Sequence, residues 1–287
     1  MTKTTIKEIG RVLVTGGTGK TGRRVTEQLA ARGVPCRIGS RRGQPGFDWN
    51  DQSTWDPALQ DVRAVYVAYY PDLALPGAAE TVSAFAARAS LRGVEHLVLL
   101  SGRGEDGARR AELAVERAGI GSTIVRSSWF CQNFSEDFLL DSVLSGQIVL
   151  PAGDVPEPFI DADDIAEVAV AALIDPRHAG QTYEVTGPRL LSFADAAHEI
   201  SRACRRPVDY IPVTVEEYAA GAEEHGVPGE LVGALTNLFT QVLDGRNAYV
   251  TDGVEQALGR RPRDFTDYAR AAAASGVWAA AHSEVHP

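Results

Sequence analysis

Apolar residues recur along this 287-residue chain in two alternating rhythms. Short segments centred on consecutive or near-consecutive apolar residues occur at Arg11–Thr15, Cys36–Ser40, Ala64–Tyr69, His96–Ser101 and Ser122–Arg126. Runs of this length read as strands covered on both faces. Between them the spacing opens to three and four residues. Val25, Leu29 and Ala30 share one helical face, as do Ala78, Val82, Phe85, Ala86 and Ala89. A further helix is predicted over about Gly107–Ala118. Gly33 and Gly93 stop two of these helices, and Pro35 follows the first stop. Ser53 with Asp56 three residues on predicts a capped helix start, and Phe47–Trp49 a short edge strand. Strands alternating with helices in this way predict an α/β fold, a parallel sheet doubly wound by right-handed crossovers.

After residue 130 the rhythm changes. A helix over Asn133–Leu144, a strand at Ile148–Leu150 and a Gly/Pro-rich loop at Pro151–Pro158 come first. The next helix carries Ile165, Val168, Ala169, Ala172 and Leu173 on one side, and Asp163 or Asp164 most simply caps it. From Gln181 the elements are mixed. The expected organisation is a dinucleotide-binding domain over 1–150, rejoined by 159–176, and a smaller α+β substrate lobe over 177–287.

The strand at Arg11–Thr15 runs into Gly16-Gly-Thr-Gly19-Lys-Thr-Gly22, and a helix follows at once. In a Rossmann dinucleotide site the first glycine turns the chain off the strand. The second admits a diphosphate to bare backbone, and the third lets helix and strand lie close. Thr15, Thr18 and Thr21 add hydroxyls, and Lys20 adds a positive charge beside the helix N-terminus.

Composition narrows the function. A formal net charge of -10 offers no basic stripe for nucleic acid. Cys36, Cys131 and Cys204 are widely separated and lack metal-ligand spacing, so reduced thiols and no metal site are expected. No apolar run is long enough to cross a bilayer, and the first ten residues carry no apolar signal region. A cytoplasmic protein is the expectation. Lysine occurs only at positions 3, 7 and 20, so arginine carries nearly all the positive charge, as in chains from GC-rich bacterial genomes.

Two positions refine the chemistry. A site for NAD usually places Asp or Glu at the end of the second strand, to bind the ribose 2′-hydroxyl. This chain has Ser40-Arg41-Arg42 and no acid before Asp48, which favours the 2′-phosphate of NADP(H) over a merely solvated arginine pair. The second position is empty. With lysines only at 3, 7 and 20, no tyrosine is followed by lysine four residues on. The Tyr-x-x-x-Lys acid with which short-chain dehydrogenases commonly reduce carbonyls is therefore missing. Ser101 keeps the place of their serine, as a candidate catalytic or ribose-binding group. Two readings survive. One is hydride transfer to an acceptor that is already electrophilic, such as an iminium or quinone. The other is a dinucleotide-binding sensor without chemistry.

The glycine motif, Leu97–Ser101, Ser122-Thr-Ile-Val-Arg126-Ser-Ser-Trp-Phe130-Cys-Gln-Asn133-Phe134 and Phe159-Ile-Asp161-Ala-Asp-Asp164 together resemble the NmrA-like family of atypical short-chain dehydrogenase/reductases. The resemblance continues through Tyr183–Pro188 and Thr251–Pro262, nearly the whole chain. Phe47-Asp-Trp49 with Thr54-Trp55 resembles the branch holding the agroclavine and festuclavine dehydrogenases of ergot alkaloid biosynthesis. It implies NADPH-dependent reduction of a small molecule, with no particular substrate carried over. The sensor reading also has precedent in this family. By this resemblance Thr15, Gly16, Thr18, Gly19, Lys20, Thr21 and Gly22 hold the diphosphate side, and Ser40, Arg41 and Arg42 the 2′-phosphate. Ala68, Tyr69 and Tyr70 line the cofactor, and Ser101 and Gly102 approach the nicotinamide. Trp129, Phe130, Asn133 and Phe134 are candidates for the substrate wall, although the aromatic rings serve equally as core packing. The oligomeric state stays open.

Overall fold

The computed structural model describes residues 10–279 apart from 225 and 228, so the polar stretch before residue 10 lies outside the described residues. In chain order the elements are β1 (Arg11–Thr15), α1 (Lys20–Ala31), β2 (Cys36–Gly39), α2 (Trp55–Leu59), β3 (Val62–Val67), α3 (Ala78–Leu91), β4 (His96–Gly102), α4 (Asp106–Glu116) and β5 (Gly121–Ser127). Then come α5 (Asn133–Glu136), α6 (Leu140–Ser145), β6 (Gln147–Leu150), α7 (Ala162–Ile174), β7 (Thr182–Val185), α8 (Phe193–Cys204) and β8 (Asp209–Pro212). The last four helices are α9 (Val215–Glu224), α10 (Gly229–Gln241), α11 (Gly253–Leu258) and α12 (Phe265–Ala274).

The first unit takes the described residues of Met1–Ser128, Ala162–Thr186 and Thr251–Pro262. Its six strands lie in the order β2-β1-β3-β4-β5-β7, every neighbouring pair parallel. The alternation of strand side chains sorts two layers. Leu13, Val65, Leu97, Leu99 and Ile124 pack with Trp55, Phe85, Ala86, Ala111 and Val115 of α2, α3 and α4. Val14, Tyr66, Val98 and Val125, also fully buried, belong to the other layer, where α7 contacts the sheet and packs against α1. Strand order reverses between β1 and β3, the point at which such sheets bind ligands beyond their C-terminal ends.

Sequence and structure differ at four places in this unit. Thr182–Val185, assigned to the substrate lobe, pairs with β5 as the sixth strand of the sheet. The pairing is long-range, and periodicity alone does not reveal it. Ser53 caps no helix: Asp51 caps the 3-10 turn Gln52–Thr54 leading into α2, accepting from Ser53 N at 3.0 Å, and α2 itself has no side-chain cap. Phe47 and Trp49 form no edge strand; their rings pack edge-on in a cluster with Trp55 and Phe85. Asp163 and Asp164 lie inside the first turn of α7 rather than capping it. Asp163 pairs with Arg24 of α1 at 2.7 Å, and the buried Asp164 with Arg260 at 2.7 Å.

The second unit takes the described residues of Trp129–Asp161, Gly187–Val250 and Arg263–Pro287. It thus begins 21 residues before the expected boundary at 150. Its small parallel sheet, β6-β8, lies among helices over an aromatic core that includes Phe134, Phe159, Phe193, Phe265 and Trp278. The Ser192–Asp195 capping box starts α8. No described helix is long and apolar enough to cross a membrane.

At the N-terminal end of β4 a buried polar chain links His96, Thr123 and His178. His96 Nε2 lies 3.0 Å from Thr123 Oγ1, which donates to His178 O at 2.7 Å; His178 Nδ1 lies 2.7 Å from the Tyr183 hydroxyl. Burial lowers both histidine pKa values, and for His96 the nearby His178 adds to it. The folded state therefore holds both rings neutral more strongly than the unfolded chain does. Their contribution is fully present above about pH 6.5 and is lost as pH falls through their lower folded-state values. The urea midpoint is expected to drop between about pH 6.5 and 5, and to drop less in the His96→Gln/His178→Gln double variant. An identical slope in the two proteins would contradict this assignment.

Candidate active site

The glycine loop is built from backbone contacts. Gly16 has φ +61°, and a Cβ there would lie 3.3 Å from the Ala68 Cβ, so the ends of β1 and β3 nearly touch. Gly22 sits directly on the loop; a Cβ on it would collide with the Gly16 carbonyl oxygen and come within 2.7 Å of its carbon. Gly17, which the triplet spacing does not single out, is held tightly too: a Cβ there would lie 2.9 Å from Ile38 Cγ2. Gly19 differs. It is exposed, and a Cβ there would meet only the Gly16 oxygen at 3.3 Å, so its outer side is open. Helix α1 begins at this point with no side-chain cap and no acid in its first turn. Its partial positive charge is left for an anion, and the loop fits a diphosphate.

The threonines divide. Thr15 is fully buried; its hydroxyl donates to Tyr66 O at 3.0 Å and accepts from Ala68 N at 2.9 Å. It ties β1 to β3 and has no face for a phosphate, which corrects its expected role. Thr21 is likewise buried, turned toward the Tyr66 hydroxyl. Thr18 stays exposed and Lys20 half-exposed at the rim of the loop.

Beyond β2 the carbonyl of Ser40 accepts from Gly43 N at 3.0 Å and Phe47 N at 2.9 Å, closing a turn that presents Arg41 and Arg42 to solvent. Neither arginine has an acidic partner among the described residues. Beyond β3, Tyr69 is half-buried with its ring 5.0 Å from that of Trp49, while Tyr70 is 70% exposed.

Ser101 is only 3% exposed, and its hydroxyl donates to Glu112 Oε1 at 2.7 Å. The same carboxylate accepts from Arg126 Nε and Nη2, at 2.9 and 2.6 Å, and from Arg109 Nη1 at 2.8 Å. Burial raises the Glu112 pKa, but the bonds from Arg126, Ser101 and Arg109 outweigh it, and the group lies below the ordinary carboxylate range. Arg126 continues to Glu184 of β7 at 3.7 Å, and Arg103 reaches the other Glu184 oxygen at 2.7 Å. Ser101 is therefore a member of a buried ionic network joining β4, α4, β5 and β7. A serine whose proton already rests on an ionised carboxylate is a poor acid, so the catalytic assignment gives way to a positioning one. Glu112 escaped sequence reading because its partners come from three separate elements.

The expected substrate-wall residues all lie in the second unit. Phe134 is fully buried between Phe159, Phe193 and Phe265, with Trp278 Nε1 donating to its carbonyl at 2.8 Å. With no free face, it is core rather than wall. Trp129 is buried too, stacked 5.8 Å from Phe239. Phe130 and Asn133 are half-buried.

No family model matches the chain. Individual proteins do. It is 32% identical over 279 residues to the agroclavine dehydrogenase of Claviceps fusiformis, covering 90% of this chain and 95% of that protein. It is 30% identical over 287 residues to the NAD(P)H azoreductase of Xenophilus azovorans, covering 92% and 98%. Its fold matches that of the Citrobacter triphenylmethane reductase complexed with NADP(H), with a TM-score of 0.72, 20% identity and coverage of 91% and 99%. The glycine loop and parallel sheet agree with these likenesses, and the chain belongs to the NmrA-like family of atypical short-chain dehydrogenase/reductases as an NAD(P)H-dependent reductase.

Proposed function

We propose that the protein is an NADPH-dependent reductase of a small, electrophilic aromatic, iminium or quinone-like acceptor, working without a Tyr-x-x-x-Lys acid. The observation that carries the cofactor choice is the turn after β2, where Arg41 and Arg42 stand exposed and unpaired among the described residues. Two guanidiniums there suit a 2′-phosphate, and the absence of an acid removes the usual partner of a free 2′-hydroxyl. When bound, the reduced nicotinamide supplies a hydride. The chain's own residues hold the diphosphate at Gly16–Gly22 and fix the end of β4 through the Ser101–Glu112–Arg126 network.

The acceptor class follows from chemistry. Carbon that is already cationic or conjugated accepts hydride with little acid help, so orientation lowers most of the barrier. Relatives named NAD(P)H azoreductase and agroclavine dehydrogenase, and a fold neighbour named triphenylmethane reductase, support this class. Steady NADPH oxidation with iminium, quinone and azo panels tests the reading. Tight NADPH binding with silence across all three panels would favour the sensor.

A further inference from the structure

We propose that Glu105 is the proton donor of this reductase, placed over the C-terminal end of β4 to protonate acceptors whose reduced form must gain a proton as well as a hydride. The proposal rests on the reductase reading above. Its geometry is local to one loop. Gly102 ends β4, Gly104 takes φ +72°, and the chain folds back so that the Glu105 carboxyl lies on the Gly102 backbone. A Cβ on Gly102 would collide with Glu105 Oε2 and reach within 2.7 Å of its carboxyl carbon.

The loop is clamped at two further points. Arg103 is buried, its backbone N donating to Ser127 O at 3.1 Å and its guanidinium to Glu184 at 2.7 Å. Gly107, in the first turn of α4, lies so close to Ala74 that a Cβ would sit 2.6 Å from the Ala74 carbonyl carbon. This brings the loop after β3, with Asp72, beside the carboxyl.

The carboxyl itself is suited to the task. Glu105 stands at the N-cap of α4, where its carbonyl accepts from Arg109 N at 3.0 Å, but its carboxyl makes no capping bond and has no hydrogen-bond or ion-pair partner among the described residues. Burial, then the like charge of Asp72, push its pKa up to about 7, and Asp72 is the one charged group that acts on it among the described residues. Asp72 is held in place by Ala74 N, which donates to its carboxylate at 2.7 Å. A carboxylic acid poised near the working pH serves well as a general acid. By contrast, Glu112 and Glu184 accept from arginines, at 2.6 Å from Arg126 and 2.7 Å from Arg103.

The step balances. An azo or quinone acceptor takes a hydride and becomes an anion on nitrogen or oxygen. The Glu105 O–H bond breaks as the new N–H or O–H bond forms, its electron pair stays on the carboxylate, and water returns a proton afterwards. A triarylmethyl or iminium cation becomes neutral on hydride addition alone and needs no proton.

The test compares Glu105→Gln with the wild type on both acceptor classes. The ratio of azo or quinone turnover to cationic-dye turnover is expected to fall about 10²-fold, the usual contribution of a positioned acid. Infrared titration of the free protein supplies a reading independent of turnover. A protonated carboxyl band that disappears through neutral pH is expected in the wild type and not in Glu105→Gln. Asp72→Asn, which removes the like charge, is expected to shift that titration, and the high-pH loss of azo turnover, to lower pH. Equal loss on both acceptor classes, or a carboxyl ionised well below neutrality, would overturn the proposal alone. Wild-type silence on every acceptor would overturn the reductase reading, and the proposal with it.

Discussion

Replacing Arg41 and Arg42 together by alanine is expected to weaken NADPH binding by about 10²-fold or more, and NADH binding by less than about 3-fold. Each guanidinium is expected to give the 2′-phosphate a charge-assisted hydrogen bond, worth roughly 1.5–3 kcal/mol. NADH has no group at that position, and both side chains are exposed, so nothing else of consequence is lost. Equilibrium titration of nucleotide fluorescence with each cofactor measures the two affinities separately. The expected salt dependence follows from the same charges: raising ionic strength should weaken NADPH more steeply than NADH in the wild type and erase that difference in the variant. Equal losses for the two cofactors would remove both arginines from the phosphate site.

Glu112→Ala is expected to destabilise the fold by about 3–5 kcal/mol, the range for removing one partner of a buried ion pair. The Glu112 side chain is 1% exposed and satisfies Ser101, Arg109 and two Arg126 donors at once. Its removal takes from the partly buried Arg126 its 2.9 and 2.6 Å bonds, the 3.7 Å contact to Glu184 being longer than either. Glu112→Gln keeps the volume and one acceptor oxygen but not the charge, so a smaller loss is expected. Denaturant unfolding of the three proteins provides the comparison. Because folding depresses this carboxyl's pKa, its contribution is full above about pH 4.5 and fades as pH falls through its lower folded-state value. A loss under about 1 kcal/mol for the alanine variant would show the network to be incidental.

The glycine loop and the turn after β2 were legible in sequence because their determinants are local. A strand, three spaced glycines and a helix occupy consecutive residues, and backbone sterics require glycine at Gly16, which takes a left-handed φ, and at Gly22, where a Cβ would meet the Gly16 carbonyl. Arg41 and Arg42 were placed in the turn after β2 for the same reason, directly following the second strand in sequence. Thr15 misled because a hydroxyl beside a phosphate loop looks like a ligand, whereas its partners, Tyr66 O and Ala68 N, lie more than 50 residues away. The sixth strand and the role of Glu112 were hidden in the same way, by pairings that form only after the chain has crossed the sheet. Phe134 shows the complementary error, since an aromatic residue carries the same pattern whether it lines a pocket or fills a core. The Glu105 carboxyl had no sequence signature at all. Its position depends on the left-handed turn at Gly104 and on the bare backbone of Gly102.

The central claim is that this chain transfers hydride from NADPH to a small electrophilic acceptor. Reduction of a cationic triarylmethane or iminium acceptor with NADPH deuterated at the transferred position of the nicotinamide, followed by mass spectrometry of the product, tests it directly. One deuterium bound to the former cationic carbon in each product molecule is the expected result. Product lacking the label, or no product from a chain that binds NADPH tightly, would contradict it.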